Sequence, residues 1–371
     1  MSKPLPSLYS GGHVLAEVRG ALGLLTLNRT NALNALSLEM IRDLTAMLLH
    51  WADDDAVQAV LVRGAPREGK PPAFCAGGDI RFFHRAALAG DPRVEDFFTE
   101  EYRLNHLIHH YPKPYIALMD GVVMGGGMGI SQGASLRVVT ELSKLAMPET
   151  NIGLFPDVGG GFFLSRCPGY VGEYLALTGH VLGAADAVAL KLADGVMPSS
   201  SLPGLVEALA DQPHESVPQW LAAVRARFVD AGAPHLAEHR DAIDRHFAAP
   251  SVAAMAESLA ADASPWAAQT LAALRQRSPL MLGVTLEQLR RARHMTLAED
   301  LRMERDLVRH CFALRLGAAS ETVEGIRALA IDKDHSPRWN PARIEDVTAD
   351  QVAAFFASPW PAFAHPLRDL A

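Results

Sequence analysis

The sequence predicts a mixed α/β chain, with strands in the first half and helices in the second. Two observations lead there. Short apolar runs bounded by Gly and Pro recur up to about residue 140. From about residue 200 the chain turns rich in Ala, Leu and Arg, with apolar residues at helical spacing. The stretch 198–218 holds Pro198, Pro203, Pro213 and Pro218 among several serines and reads as a linker. The boundary placed there divides residues 1–200, an α/β core, from 201–371, a mostly helical region packing on it. A length of 371 residues suits two domains, or one large domain with an appendage.

The elements follow in order. Val14–Val18 and Leu22–Leu27 are apolar runs split by Arg19-Gly20-Ala21, a hairpin signal. Ser37 is placed to cap a helix in which Met40, Ile41, Leu44, Leu48 and Trp51 form one face. Val57–Val62 reads as a buried strand. A helical pattern runs from Val94 to His110, and Pro112 and Pro114 end it. Tyr115–Met119 and Leu136–Thr140 are strands on either side of a glycine cluster. In the second half, Leu282, Leu286 and Leu289, then Leu301, Leu307, Val308, Cys311 and Leu314, keep helical spacing.

Composition excludes several function classes. Lys plus Arg is 34 against 42 Asp plus Glu, a formal charge of −8, with no basic block to meet nucleic acid. Cys75, Cys167 and Cys311 are too scattered for a zinc framework or disulfide scaffold and suit a reducing compartment. The opening MSKPLPSLYSGGHV lacks the apolar core of a signal peptide, and no run is long and apolar enough to span a membrane. A cytoplasmic globular enzyme is the expectation.

Three segments carry candidate chemistry. In Phe74-Cys75-Ala76-Gly77-Gly78-Asp79-Ile80 a strand turns into a helix, leaving backbone N–H groups that could hold a developing negative oxygen. The plainer reading is a loop with Asp79 as N-cap. In Gly125-Gly126-Gly127-Met128-Gly129 the glycines weaken a helix by about 1 kcal/mol each relative to Ala, tolerable where backbone must approach something closely. That could be a ligand or a packed strand. In the third segment, Glu149 and Asp157 stand in Pro- and Gly-shaped loops between apolar runs. A carboxylate facing an apolar cavity has its pKa raised and can serve as base or nucleophile. Capping is the alternative role.

Other signals compete. Gly129-Ile130-Ser131-Gln132-Gly133 matches the G-x-S-x-G nucleophile elbow, which would make Ser131 a nucleophile, but glycines and methionines make poor strand before it. His106, His109 and His110 lie on one predicted helix, without the Glu of a H-E-x-x-H metal site. No G-x-G-x-x-G dinucleotide fingerprint occurs at either glycine cluster.

These segments, in this order, resemble the crotonase (enoyl-CoA hydratase/isomerase) superfamily. LNRTNALNALSLEMI at 27–41, FCAGGDIR at 74–81 and GVVMGGGMG at 121–129 carry the likeness. AMPETNIGLFPDVGGGFFLSR at 146–166, SLRVVTE at 135–141, EYLALTG at 173–179, EDLRMERDLV at 299–308 and EGIRALAIDKD at 324–334 are similar to one branch, the 3-hydroxyisobutyryl-CoA hydrolases. The resemblance implies a crotonase-like (ClpP/crotonase) α/β fold, a spiral of β-β-α units with a helical C-terminal region, the acyl-CoA site lying in the 1–200 core. It implies that an acyl-CoA carbonyl is held by the backbone N–H groups of Ala76 and Gly126, with Gly77, Gly78, Asp79 and Gly125 lining the substrate. Glu149 would be the nucleophile or base. Glu101 and Asp157 would contact the acyl group and its 3-hydroxyl.

Within that likeness, Gly129 stands where hydratases have the first of two glutamates, and Asp157 stands where they have a small residue. Hydrolysis of a short 3-hydroxyacyl-CoA, in valine breakdown, is therefore preferred to hydration on the same fold. Esterase action through Ser131, or acyl-CoA binding without turnover, are the further alternatives. CoA belongs to the substrate, so no separate cofactor and no metal are expected. Self-association through helices is possible in such folds. Arg315–Thr322 (RLGAASET) departs from the branch pattern, which leaves the acyl preference open.

Overall fold

The computed structural model describes residues 5–211 and 216–371. Pro213, and the first four residues of the leader reading, lie outside them. In chain order the strands are β1 (Val14–Arg19), β2 (Leu22–Leu27), β3 (Ala59–Gly64), β4 (Ala73–Cys75), β5 (Tyr115–Met119), β6 (Val122–Met124), β7 (Leu136–Val139), β8 (Lys144–Ala146) and β9 (Gly195–Val196). The α-helices are α1 (Leu38–Ala52), α2 (Ile80–Ala89), α3 (Arg93–His109), α4 (Gly126–Gln132), α5 (Gly160–Leu164), α6 (Val171–Thr178), α7 (Ala184–Ala189), α8 (Leu202–Asp211), α9 (Val217–Arg225), α10 (Arg240–Phe247), α11 (Val252–Ala260), α12 (Pro265–Gln276), α13 (Pro279–Ala292), α14 (Leu297–Ala313), α15 (Glu321–Ile326) and α16 (Ala349–Ala353).

The first three strands share one sheet, and from β3 onward successive strands go to alternate sheets. One sheet has the order β1-β2-β3-β5-β7-β9 and the other β4-β6-β8. This alternation, with helices between the pairs, is a spiral of β-β-α turns. The β1/β2 hairpin is antiparallel, and β2/β3, β3/β5 and β5/β7 pair in parallel. Every residue of β2 and β5 is buried, as expected of strands covered on both faces.

Two compact units emerge, each built from separated stretches. The first comprises Met1–Gly78, Arg103–Leu145 and Val181–His235. The second comprises Asp79–Tyr102, Ala146–His180 and Leu236–Ala371. The first holds the sheets. Its α1 begins at Ser37, whose hydroxyl accepts from the Met40 N–H at 3.3 Å. Its Trp51 lies against β2, where a Cβ on Gly23 would come within 2.8 Å of the indole ring.

The linker expected at 198–218 is instead mostly helix. Leu202, Leu205, Val206 and Leu209 of α8 join Trp220 and Val224 of α9 in one core with Leu22, Leu61, Leu118 and Leu136. The prolines misled. Pro203 and Pro218 sit in first helical turns, where the missing N–H has no intrahelical partner to lose.

The second unit is helical. Leu282, Leu286 and Leu289 are buried on α13, and Leu301, Leu307, Val308 and Cys311 on α14. Leu314 breaks the expected stripe: it ends α14 as C-cap and is exposed. Among the described residues, no helix is long and apolar enough to cross a membrane.

Candidate active site

The glycine turns belong to the first unit. The 27–41 motif holds them in shape. Asn34, itself at φ 58, donates through Nδ2 to the carbonyls of Ala73 (2.9 Å) and Phe74 (3.1 Å). The Leu36 N–H donates to Gly77 O at 2.8 Å. Gly77 takes φ +102, open only to glycine at low cost, and its absent Cβ would sit 3.3 Å from Met124 O and 3.6 Å from Gly126 N. The two glycine segments therefore touch. Gly127 lets α4 lie on β4: a Cβ there would be 2.3 Å from Cys75 O.

Of the two N–H groups expected as oxyanion donors, one is already taken. The Ala76 N–H already donates to Leu33 O at 3.0 Å, so it is not available to a substrate. The Gly126 N–H opens α4, where no intrahelical acceptor exists, and neither it nor the Gly78 N–H has a hydrogen-bond partner among the described residues. Gly125 precedes them at φ 50, ψ −119. Asp79 caps α2, accepting from the Phe82 N–H at 3.1 Å, which is the plainer of its two sequence readings.

Ser131 is not at an elbow. It lies inside α4, fully buried, and its hydroxyl donates to Gly127 O (2.8 Å) and Met128 O (3.1 Å). Ser131→Ala should leave thioester turnover intact and cost about 0.5–1.5 kcal/mol of stability. A loss of turnover with unchanged Tm would restore the esterase reading. His106 and His110 lie side by side on α3 with ring centroids 4.2 Å apart and ring planes tilted by 34°. Among the described residues, no three His, Cys, Asp or Glu side chains are grouped as metal ligands would be.

The carboxyl groups belong to the second unit. Glu149 opens a 3-10 turn, Glu149–Ile152, and is only 7% exposed. Several residues brace this turn. Arg277 donates to Thr178 O (2.6 Å) and Asn151 Oδ1 (3.0 Å), Ser278 N–H to Thr150 O (3.3 Å), and Thr322 Oγ1 to Gly153 O (2.6 Å). Gly153 at φ +67 passes so close to Glu321 that a Cβ would meet its carbonyl oxygen at 2.2 Å. The divergent 315–322 segment thus ends as a brace for the Glu149 turn.

Glu101 and Tyr102 come from α3. Tyr102 donates its hydroxyl to Asp157 Oδ2 at 2.8 Å. Glu149 Oε2 and Glu101 Oε1 are buried with no hydrogen-bond partner among the described residues. An unpaired buried oxygen is costly, and such costs collect at functional sites. Burial first, then the Asp157 charge, pushes Glu149 well above the usual carboxylate range. Glu101 is pushed up by burial, Asp157 and Glu149. Asp157 is raised by burial to about 7, opposed by the Tyr102 hydrogen bond.

Four supporting residues were not found from sequence: Tyr102, Gln288, Asp300 and Glu304. Glu304 accepts the N–H groups of Gly159 (2.8 Å) and Gly161 (3.1 Å), just past Asp157. Asp300 accepts from Phe162 N–H at 2.8 Å. A signal was present. Leu297, Leu301, Glu304 and Val308 share one helical stripe, so a carboxylate stands in the core register.

The chain belongs to the enoyl-CoA hydratase/isomerase family, whose profile matches residues 22–356. Two curated relatives share the printed name 3-hydroxyisobutyryl-CoA hydrolase, mitochondrial. The one from Xenopus tropicalis is 42% identical over 352 residues, 94% of this chain and 89% of that protein. The one from Homo sapiens is 40% identical over 350 residues, 93% of this chain and 88% of that protein. Solved structures are similar too. An enoyl-CoA hydratase from Rhodobacter sphaeroides 2.4.1 aligns with TM-score 0.85 at 38% identity, covering 94% of this chain and 98% of its own. A carnitinyl-CoA dehydratase from Mycobacterium thermoresistibile gives TM-score 0.84 at 38% identity, covering 94% and 97%.

Proposed function

We propose that this chain hydrolyses a short 3-hydroxyacyl-CoA thioester, foremost 3-hydroxyisobutyryl-CoA, to 3-hydroxyisobutyrate and CoA, a step of valine breakdown. The observation that carries this reading is the buried, half-unpaired Glu149 in a chain whose position 129 is glycine. Adding water across a C=C bond takes an acid and a base, and Gly129 has no side chain to be either. Opening a thioester takes one carboxylate, because the thiolate leaves with little need of a proton.

In this reading the N–H groups of Gly78 and Gly126 polarise the thioester carbonyl, each worth about 3 kcal/mol in the transition state. Glu149 attacks the carbonyl carbon, releasing CoA thiolate and leaving a mixed anhydride that water cleaves, or it draws a proton from the attacking water. Asp157, held by Tyr102, and Glu101 read the 3-hydroxyl, a contact that can reject analogues lacking it. No separate cofactor is needed, since CoA arrives with the substrate. We further place the protein in the cytoplasm, where its buried cysteines stay reduced, and allow self-association. Cell fractionation and light scattering test these two points.

The test is release of free thiol across a small acyl-CoA panel that includes crotonyl-CoA. Thiol from 3-hydroxyisobutyryl-CoA is expected. Loss of crotonyl-CoA absorbance without thiol would instead establish the hydratase reading that the names of the two solved structures suggest.

The pH profile offers a second test. Glu149 must be ionised to act, so activity should fall as pH drops through its raised pKa. The Asp157 charge helps to hold Glu149 up, so Asp157→Asn should move the acid limb of the residual activity to lower pH. An unmoved limb in Asp157→Asn would remove that charge from the control of Glu149.

A further inference from the structure

We infer that Asp300 and Glu304 share one proton and together act as a positioning clamp that aims Asp157, and so set the enzyme's preference for a hydroxyl-bearing acyl group. The inference rests on the hydrolase reading and names two residues that determine its specificity.

The clamp grips main chain on both sides of Asp157. Before it, Pro156 O accepts from Gln288 Nε2 at 2.7 Å. After it, Glu304 takes the Gly159 N–H on Oε2 and the Gly161 N–H on Oε1, and its Oε1 also accepts from Gln288 Nε2 at 3.0 Å. Asp300 Oδ2 takes the Phe162 N–H one residue on. Between these anchors Val158 is held at φ 56. A β-branched residue in the left-handed region costs of order 1–3 kcal/mol and persists only where its surroundings over-determine it. The effect of this strain is to direct the residue beside it, Asp157, toward Tyr102.

The shared proton follows from the inventory of donors. Asp300 and Glu304 stand four residues apart on α14, both fully buried. Three N–H groups converge on the two oxygens of Glu304, which suits an ionised acceptor. Asp300 Oδ1 is buried and meets no N–H or hydroxyl donor among the described residues, and it faces Gly161 so closely that a Cβ there would lie 2.4 Å away. Two adjacent buried carboxyls cannot both be charged cheaply. A proton on Asp300, donated to Glu304, satisfies both. The other titratable groups acting on the pair are Asp157 and Arg166, with Tyr102 beside Glu304. Burial raises both members and the charge of Asp300 further raises Glu304, which agrees with one carboxyl staying neutral. It is the three N–H donors on Glu304 and the partnerless Oδ1 of Asp300 that place the proton on Asp300.

The test compares 3-hydroxyisobutyryl-CoA with isobutyryl-CoA, which lacks the hydroxyl, by thiol release in the full chain. In Glu304→Gln the amide turns an N–H toward the backbone N–H groups, and Asp157 loses its aim. kcat/KM for the hydroxylated substrate should fall by about 10- to 100-fold, and that for isobutyryl-CoA by less than about 3-fold. Glu304→Asp, one methylene shorter, should lose the same selectivity if Glu304→Gln proves too unstable to purify. Asp300→Asn offers an amide N–H where the shared proton is placed, so it should keep the ratio, whereas Asp300→Leu should not. Equal losses on both substrates would reduce the clamp to a structural brace and overturn the inference. So would loss of the ratio in Asp300→Asn. Absence of thiol release by the wild-type chain would overturn the hydrolase reading itself, a distinct result.

Discussion

Glu149→Gln is expected to lower thiol release from 3-hydroxyisobutyryl-CoA by at least about 10³-fold while making the protein more stable. Both effects have one cause. Glu149 is nearly enclosed, one of its oxygens has no partner, and burial with the Asp157 charge disfavours its ionised form. A neutral amide of the same shape keeps the packing and removes the penalty. The sign with pH can be worked out. A carboxyl whose pKa is raised on folding stabilises the native state fully below its unfolded value, near 4.5, and that contribution is lost as pH climbs toward the folded value. The variant's advantage should therefore be small at pH 5 and larger at pH 8, where about 2–4 °C in Tm is expected. Thermal unfolding at both pH values, beside the thiol assay, checks this. Full turnover in the variant would remove Glu149 from the chemistry.

Gly125→Ala should be the next most damaging change. Gly125 adopts φ 50, ψ −119, a conformation in which a Cβ is strained whatever space surrounds it. Relaxing that strain rotates the peptide leading into Gly126 and moves its N–H. Losing one oxyanion donor costs about 10²–10³ in kcat. The substrate should still bind, so KM should change far less than kcat. Stability should fall by about 1–3 kcal/mol. A circular dichroism melt separates that fall from unfolding at the assay temperature. If kcat stays within a factor of about two, Gly126 N–H is not a donor to the reacting carbonyl.

Much of this was readable beforehand, and the exceptions share a pattern. Strands such as Leu22–Leu27 and Tyr115–Met119 were visible because a short apolar run buried on both faces needs no context. Ser37 was visible because its capping bond is local. Helices α8 and α9 were missed because four prolines look like loop until the first-turn placement of Pro203 and Pro218 is seen. The glycine turns and the Glu149 loop stood out as motifs, whereas which N–H groups lack an acceptor did not. The Ala76 N–H is taken up by Leu33 O, an acceptor more than forty residues earlier in the chain. Tyr102, Asp300 and Glu304 matter through bonds to residues 55 to 145 positions away.

By itself the amino-acid order determined the alternation of strands and helices, the two glycine segments and the acidic residues set into apolar loops, because each depends on neighbours within a few positions. Only the folded chain decided which amide is left without an acceptor, which carboxyl is left without a donor, and which strained backbone is held in place. Those outcomes depend on hydrogen-bond partners and on water excluded from around them, and both are supplied by segments far apart in the chain.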